Sequence, residues 1–171
     1  MSSTRPSLRV PSQIAVGVAE MRLSVAAGTT LASFGLGSCL GIAFYDRVAK
    51  VGAMLHAQLP FARDNRDLAA RNPFAFVDSG MAATLDALTR RGARAARILV
   101  WAAGGATLSR HATVGDRNQL AFHATLKNFG LYADSAHLGG TSPRGITLTL
   151  PDGTVFVRYP SSELHDLRRI A

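Results

Sequence analysis

The feature that most constrains the fold is a series of short apolar runs with β-strand composition, separated by connections of only a few residues. Five runs follow one another early in the chain, over residues 14–18, 21–25, 30–34, 40–45 and 50–56. Parallel neighbouring strands need a crossover of a dozen or more residues, and these connections are too short to provide one. A regular β-α-β repeat is therefore excluded.

Two later segments have apolar residues at helical spacing. The first contains Met81, Leu85 and Leu88, with Asp78 as a candidate N-cap and Gly92 as a candidate stop. The second follows Asp116 and ends at Gly130, and its expected apolar face consists of Phe122, Leu126 and Phe129. We expect further strands over residues 98–102, 132–138, 146–150 and 155–159.

Turn and loop signals complete the pattern. Asp152-Gly153 predicts a hairpin turn, and residues 60–73, polar and bounded by prolines, predict a long surface loop. Many strands with only two clear helices predict an α/β or α+β sandwich. A polar leader over residues 1–12 and one domain over residues 13–171 are the expected organisation.

Composition narrows the class of protein. The net charge of +8 suits a polyanionic or acidic protein partner, but few aromatics lie among the basic residues, so we expect no nucleic-acid platform. No apolar run approaches the roughly 20 residues of a membrane helix, and we expect no membrane insertion. The single cysteine excludes an intrachain disulfide and is typical of a cytoplasmic protein.

The most informative segment runs from Ser33 to Gly41 and contains Gly35, Gly37 and the only cysteine, Cys39. Its glycines do not match a dinucleotide-binding loop, because the third falls one position late and a strand pattern follows. We expect the glycines instead to allow a tight backbone approach just before Cys39. Free amides around Gly37, Ser38 and Cys39 are then placed to stabilise an oxyanion.

His56 is the candidate partner of Cys39. If the two strands turn symmetrically about Arg47 and Val48, Cys39 and His56 lie directly opposite each other. Small residues on their shared face, Gly41 among them, are expected to leave room for a substrate. A neighbouring imidazolium lowers a thiol pKa, so this placement predicts a low pKa for Cys39 and a raised pKa for His56.

Ser33, at the start of the glycine loop, is the candidate third residue that orients the imidazole. Spacing alone leaves open that Cys39 and His56 are buried structural residues. It also leaves open a metal site that uses Cys39 with histidines, although no two histidines show tight ligand spacing. The candidates for that site are His56, His111, His123 and His137. We expect neither a metal nor another cofactor.

Four blocks resemble the CheD family of chemoreceptor glutamine deamidases. The cysteine block over residues 35–39 and the histidine block over residues 51–60 together are fairly specific, whereas the blocks over residues 103–106 and 114–118 are weaker alone. The resemblance extends over roughly residues 14–159. It implies stacked mixed β-sheets flanked by helices, distantly related to papain-like enzymes and toxin deamidases.

The resemblance also implies an activity. Cys39 would be the nucleophile and His56 the general base of a protein-glutamine glutaminase that acts on the cytoplasmic part of chemotaxis receptors. The same chemistry would hydrolyse glutamyl methyl esters, and a CheC-type phosphatase is an implied partner. Ser33 matches a family threonine, and His137 stands where family members often have aspartate. These two departures favour the alternative, a non-catalytic adaptor that binds receptors or the phosphatase.

Overall fold

The computed structural model describes residues 12–107, 113–160 and 164–166. These residues form ten strands and three α-helices, with short 3₁₀ turns between them. The strands are β1 Ser12–Ala15, β2 Glu20–Ser24, β3 Thr29–Leu36, β4 Leu40–Asp46, β5 Val51–Ala57, β6 Ile98–Gly104, β7 Ser135–Leu138, β8 Arg144–Thr149, β9 Thr154–Arg158 and β10 Leu164–Asp166. The helices are α1 Arg66–Arg71, α2 Val77–Thr89 and α3 Val114–Phe129.

The strands form two five-stranded sheets. The first has the order β1-β3-β8-β9-β10, and the second has the order β2-β5-β4-β6-β7. Each sheet is mostly antiparallel with one parallel pair, β1 with β3 and β6 with β7. The chain passes from one sheet to the other between β1 and β2, β2 and β3, β3 and β4, and β7 and β8. The predicted architecture of stacked mixed sheets flanked by helices is confirmed.

Two apolar layers hold the sheets and helices together. Strand β4 is buried along its whole length, and its side chains alternate between the layers. Ile42 and Phe44 pack with Met81 of α2 and Phe122 of α3, so the helices cover the outer face of the second sheet. On the opposite face of β4, Ala43 and Tyr45 join the layer between the sheets; the facing residues are Ile146, Leu148, Val155 and Val157. Each large side chain buried here contributes about 1.5–3 kcal/mol.

The register of the β4–β5 hairpin differs from the prediction. His56 lies opposite Gly41, not opposite Cys39. The reason is the four-residue loop of residues 47–50. In this loop the backbone N–H groups of Val48 and Ala49 both donate to one carboxylate oxygen of Asp46. The loop moves the symmetry point by one residue and the register by two. Because side chains alternate with a period of two, the shift keeps Cys39 and His56 on the same face.

The predicted loop over residues 60–73 is wrong, because it contains helix α1. The side chain of Asn65 accepts a hydrogen bond from the amide of Leu68 at 3.1 Å, which caps the helix. Asp78 is not the N-cap of α2, because it lies inside the first turn. Its carboxylate instead accepts a hydrogen bond from the amide of Ala62 at 2.9 Å and so fixes the α1 region against α2.

Other boundaries agree more closely. Gly130 ends α3 in the left-handed conformation, as predicted, but Phe129 is 44% exposed and lies at the edge of the apolar face. The Asp152-Gly153 turn joins β8 to β9 as expected. The division into leader and domain remains a prediction, since residues 1–11 lie outside the described part of the chain and Ser12 opens β1. Within the described ranges, no helix is long and apolar enough to cross a membrane.

Candidate functional site

The loop that carries Cys39 connects the two sheets. Strand β3 ends in the first sheet at Leu36, and β4 begins in the second at Leu40. Gly35 has φ +66°, which favours glycine, and its carbonyl accepts a hydrogen bond from the amide of Gly37 at 2.9 Å. The resulting turn places Cys39 at the edge of the apolar layer between the sheets, where it is partly buried.

Three successive carbonyls of this loop are bonded to other parts of the chain. The pairs are Gly37 O with Ala106 N at 2.8 Å, Ser38 O with Asn118 Nδ2 at 2.8 Å, and Cys39 O with Gly105 N at 2.9 Å. A Cβ at Gly104 would collide with the Cys39 carbonyl oxygen, so the double glycine after β6 permits this close approach. The loop is thus fixed by the ends of β6 and α3.

The amides of the same loop are less satisfied than its carbonyls. The N–H of Gly37 is engaged in the turn, contrary to the expectation that it is free. Within the described residues, no other residue accepts a hydrogen bond from the N–H groups of Ser38 and Cys39, and the Cys39 N–H interacts only with its own sulfur. Successive free amides form a concave site that attracts negative charge. The part of the predicted oxyanion site that is available is therefore the pair Ser38 and Cys39.

His56 is buried on β5, and its ring contacts the first sheet. Its Nδ1 lies 2.9 Å from Ser33 Oγ and 3.4 Å from the carbonyl oxygen of Val16, and Ser33 Oγ donates to the same carbonyl at 3.3 Å. A lone pair on Nδ1 would face that carbonyl unfavourably, so the network assigns the proton to Nδ1. The lone pair is then on Nε2, which is buried and has no hydrogen-bond partner among the residues that the structure describes.

Burial favours the neutral form of both candidate catalytic side chains. Burial raises the pKa of the Cys39 thiol, although its own backbone N–H partly opposes this. Burial likewise lowers the pKa of His56, against the opposing effects of the Val16 carbonyl and Glu20. No hydrogen bond joins Sγ to the imidazole. The predicted thiolate–imidazolium pair is therefore wrong for the resting protein.

The small residues beside His56 do not leave room for a substrate. A Cβ at Gly41 would lie 2.6 Å from Ile146 Cγ2 and 2.7 Å from Leu36 Cδ1. Side chains of the opposing sheet thus already fill the space that the glycine leaves. A cavity of about 210 Å³ lies instead beside Gly35, and its lining includes Phe34 and Arg158 but neither Cys39 nor His56. A second cavity of about 410 Å³, at the end of α3, contains none of the candidate residues.

The remaining histidines that the structure describes form no metal-ligating group with Cys39. In the described ranges, no three residues of the metal-ligating types lie together, and His111 falls outside those ranges. His123 is on α3 with its ring against Phe122. His137 Nδ1 lies 3.3 Å from the hydroxyl of Tyr159, close to the buried guanidinium of Arg144. The position of His137 is thus part of a structural cluster.

Sequence reasoning missed three contributors to the site. Glu20 approaches His56 from the start of β2, and Val16 approaches it from the turn before β2. Asn118 approaches the cysteine loop from α3. Asn118 falls in one of the motif blocks, but nothing in the sequence indicates its contact with a residue 80 positions away. Predicting this contact would have required information that the cysteine block and the block over residues 114–118 lie together in the fold.

Comparison with known proteins gives consistent results. Residues 58–159 match the family model described as CheD chemotactic sensory transduction. A probable chemoreceptor glutamine deamidase CheD of Solibacter usitatus is 35% identical over 85% of this chain and 88% of its own length. A protein of the same name from Archaeoglobus fulgidus is 35% identical over 86% of this chain and 94% of its own. A third, from Methanococcus maripaludis, is 38% identical over 74% and 82%.

Proposed function

The chain belongs to the CheD family, and from this membership we propose that it converts glutamine side chains of chemoreceptors into glutamate. The single observation that carries the proposal is the state of His56. Its ring is oriented by Ser33 through Nδ1, and its Nε2, on the side of the sheet that Cys39 shares, is buried with no partner in the described part of the chain. An unpaired buried nitrogen costs stability, and its position on the face that Cys39 shares supports a chemical role.

The first half of the reaction is acylation. As the Cys39 sulfur attacks the carboxamide carbon, His56 Nε2 takes the thiol proton, and the N–H groups of Ser38 and Cys39 hold the oxyanion. The tetrahedral intermediate collapses as the imidazolium returns the proton to the nitrogen, and ammonia leaves. The product is a thioester between Cys39 and the receptor side chain.

The second half regenerates the protein. His56 removes a proton from water, which attacks the thioester carbon through a second oxyanion. Collapse of this intermediate breaks the carbon–sulfur bond, returns the proton to sulfur and frees the receptor, which now carries a glutamate side chain. A glutamyl methyl ester enters the same cycle with methanol as the leaving group. Because both side chains are neutral at rest, His56 acts as a base during attack rather than as a preformed imidazolium.

Receptor binding is supported by charge and by shape. The chain carries a net charge of +8, and the cavity beside the cysteine loop is lined by Phe34 and Arg158. Such a surface suits an acidic helix of a receptor's cytoplasmic domain. Binding of a CheC-type phosphatase to the same family fold is part of the proposal, with no residues assigned to it.

The proposal is tested by mass spectrometry of receptor peptides after incubation with the protein. The wild type should convert specific glutamines to glutamate, and Cys39→Ala should not. Cys39→Ser is the matched control, because it keeps a nucleophile of similar size. Conversion by Cys39→Ala at the wild-type rate would exclude the mechanism, and the absence of conversion by the wild type would exclude the function.

A non-catalytic adaptor is the second candidate. The raised pKa of the Cys39 thiol and the missing hydrogen bond to His56 favour it. An adaptor should bind a receptor fragment with the same affinity in the wild type and in Cys39→Ala, and neither should deamidate it. Deamidation by the wild type alone would exclude this candidate.

A further inference from the structure

Asn118 is the only α3 side chain that bonds to the cysteine loop within the described residues. It is fully buried, and its Nδ2 donates to Ser38 O at 2.8 Å and to Gln58 O at 3.1 Å. Gln58 follows His56 by two residues at the end of β5. One amide group thus joins the loop of the nucleophile to the strand of the base.

The bond to Ser38 O fixes a whole peptide unit. A trans peptide is planar, and its C=O and N–H point in opposite directions. The N–H in the unit that contains Ser38 O is that of Cys39. Because the oxygen is held towards α3, the N–H is directed away from α3, and within the described residues no other residue accepts a hydrogen bond from it. This is the amide assigned above to the oxyanion.

The two ends of the Asn118 side chain differ, because only its donor end is bonded within the described residues. Its Oδ1 is buried and accepts no hydrogen bond from any described residue. An unpartnered buried acceptor is unfavourable, and an apolar residue of the same size would avoid it. The two donated bonds are therefore what an apolar residue at this position would lose.

We propose that Asn118 is a positioning residue, which orients the Ser38–Cys39 peptide so that the Cys39 N–H stabilises the oxyanion. This inference rests on the proposed function, because it assigns Asn118 a role in the same acyl transfer. Donation to the carbonyl also polarises the peptide and strengthens its N–H as a donor. Neither Asn118 atom needs to touch the substrate.

Two reactions of Cys39 separate this role from a purely structural one. Acylation by p-nitrophenyl acetate passes through an oxyanion, whereas alkylation by iodoacetamide displaces iodide without one. In Asn118→Leu, acylation should fall about a hundredfold, as when an oxyanion donor is removed, and alkylation should stay close to wild type. Both rates are measured at Cys39 by mass spectrometry of the intact protein.

The controls address folding. Thr125→Val changes another buried polar residue one heptad further along α3, and it should change neither rate. Thermal unfolding is recorded for each variant, and Asn118→Ser replaces Asn118→Leu if the latter does not fold. An equal fall in acylation and alkylation would reduce Asn118 to a structural residue, and unchanged acylation would overturn the inference.

The same data keep this inference apart from the proposed function. If the wild type is acylated by the ester but does not deamidate receptors, the proposed function fails while the ratio of acylation to alkylation still tests Asn118. If the wild type deamidates receptors and the ratio is unchanged in Asn118→Leu, the inference alone fails.

Discussion

The two ends of the β4–β5 hairpin contrast in how their polar groups are satisfied. At the turn, the buried carboxylate of Asp46 accepts hydrogen bonds from the amides of the 47–50 loop and of Arg94, and from the guanidinium of Arg97. At the open end, no other described residue bonds to His56 Nε2 or to the N–H groups of Ser38 and Cys39. Both ends belong to the same two buried strands.

The titration behaviour of the two ends differs in the same way. Burial alone would raise the pKa of the Asp46 carboxyl, but Arg97 and the surrounding amides hold it well below its usual range. At the open end, burial raises the pKa of Cys39 and lowers that of His56, and the opposing effects of the Val16 carbonyl and Glu20 on His56 are smaller than that of burial. The polar groups at the turn thus stabilise the fold, whereas the unsatisfied groups at the open end remain available to a substrate.

The largest expected effect is on stability at the turn. Asp46→Ala should lower the free energy of unfolding by about 3 kcal/mol, the lower end for a broken buried pair, because the Arg97 side chain keeps 28% exposure. Urea denaturation measures the loss. The alkylation rate of Cys39 in the folded protein should not change, and a changed rate would show that the two ends are coupled.

Asp86→Ala is the matched control for Asp46→Ala. Asp86 pairs with Arg90 one helical turn away on the exposed face of α2. An exposed pair of this kind contributes less than about 1 kcal/mol. An equal loss in both variants would contradict the distinction between a buried and an exposed pair.

Lowering the pH should reduce the stability that Asp46 contributes at the turn. The folded pKa of Asp46 lies below its unfolded value, so its contribution is fully present above about pH 4 and is lost as the pH falls through the lower folded value. Asp46→Asn should therefore flatten the loss of stability in this acid range. Parallel curves for wild type and variant, from denaturation at a series of pH values, would refute the assignment.

The open end should respond to pH in a different range. Burial lowers the folded pKa of His56, so below about pH 6.5 the unfolded chain binds a proton that the folded chain does not. Stability should fall with decreasing pH, by at most about 1.4 kcal/mol per pH unit. His56→Gln should remove this slope, and His123→Gln, on exposed α3 surface, should keep it. A slope that persists in His56→Gln belongs to another group.

Ser33 should affect turnover by about tenfold. Its hydroxyl contacts His56 Nδ1 at 2.9 Å, and Ser33→Ala removes a buried hydrogen bond worth about 1.4 kcal/mol. Ser33→Thr keeps the hydroxyl and should retain or raise the rate of deamidation. The rates come from receptor-peptide mass spectrometry with all three proteins. Equal rates would remove Ser33 from the site.

The smallest expected effect concerns the resting thiol. Because no hydrogen bond joins Cys39 to the imidazole, His56→Ala should move the midpoint of Cys39 alkylation by less than about half a pH unit. In both proteins the midpoint should lie above the ordinary thiol value of about 8.5. A wild-type midpoint well below that value, together with a higher midpoint in His56→Ala, would support the thiolate–imidazolium pair that the sequence predicted.

The sequence alone predicted the local features of this protein. Alternation of apolar residues located β4 and β5 and assigned Cys39 and His56 to one face, because a face depends only on the parity of position. Gly130 and the Asp152-Gly153 turn were also predictable, because both depend on the backbone of a few adjacent residues. Helix α1 was not, since it is short and its caps are two asparagines in a polar segment.

The tertiary structure decided everything that depends on residues far apart in sequence. Ile146 of the first sheet fills the space beside Gly41, which the strand pattern had left open. Burial between the sheets, more than the proximity of Cys39 and His56, sets their protonation. Asn118 reaches the cysteine loop from α3. Sequence patterns report which face of an element is apolar, but the atoms that a side chain meets there come from elements whose docking no local periodicity encodes.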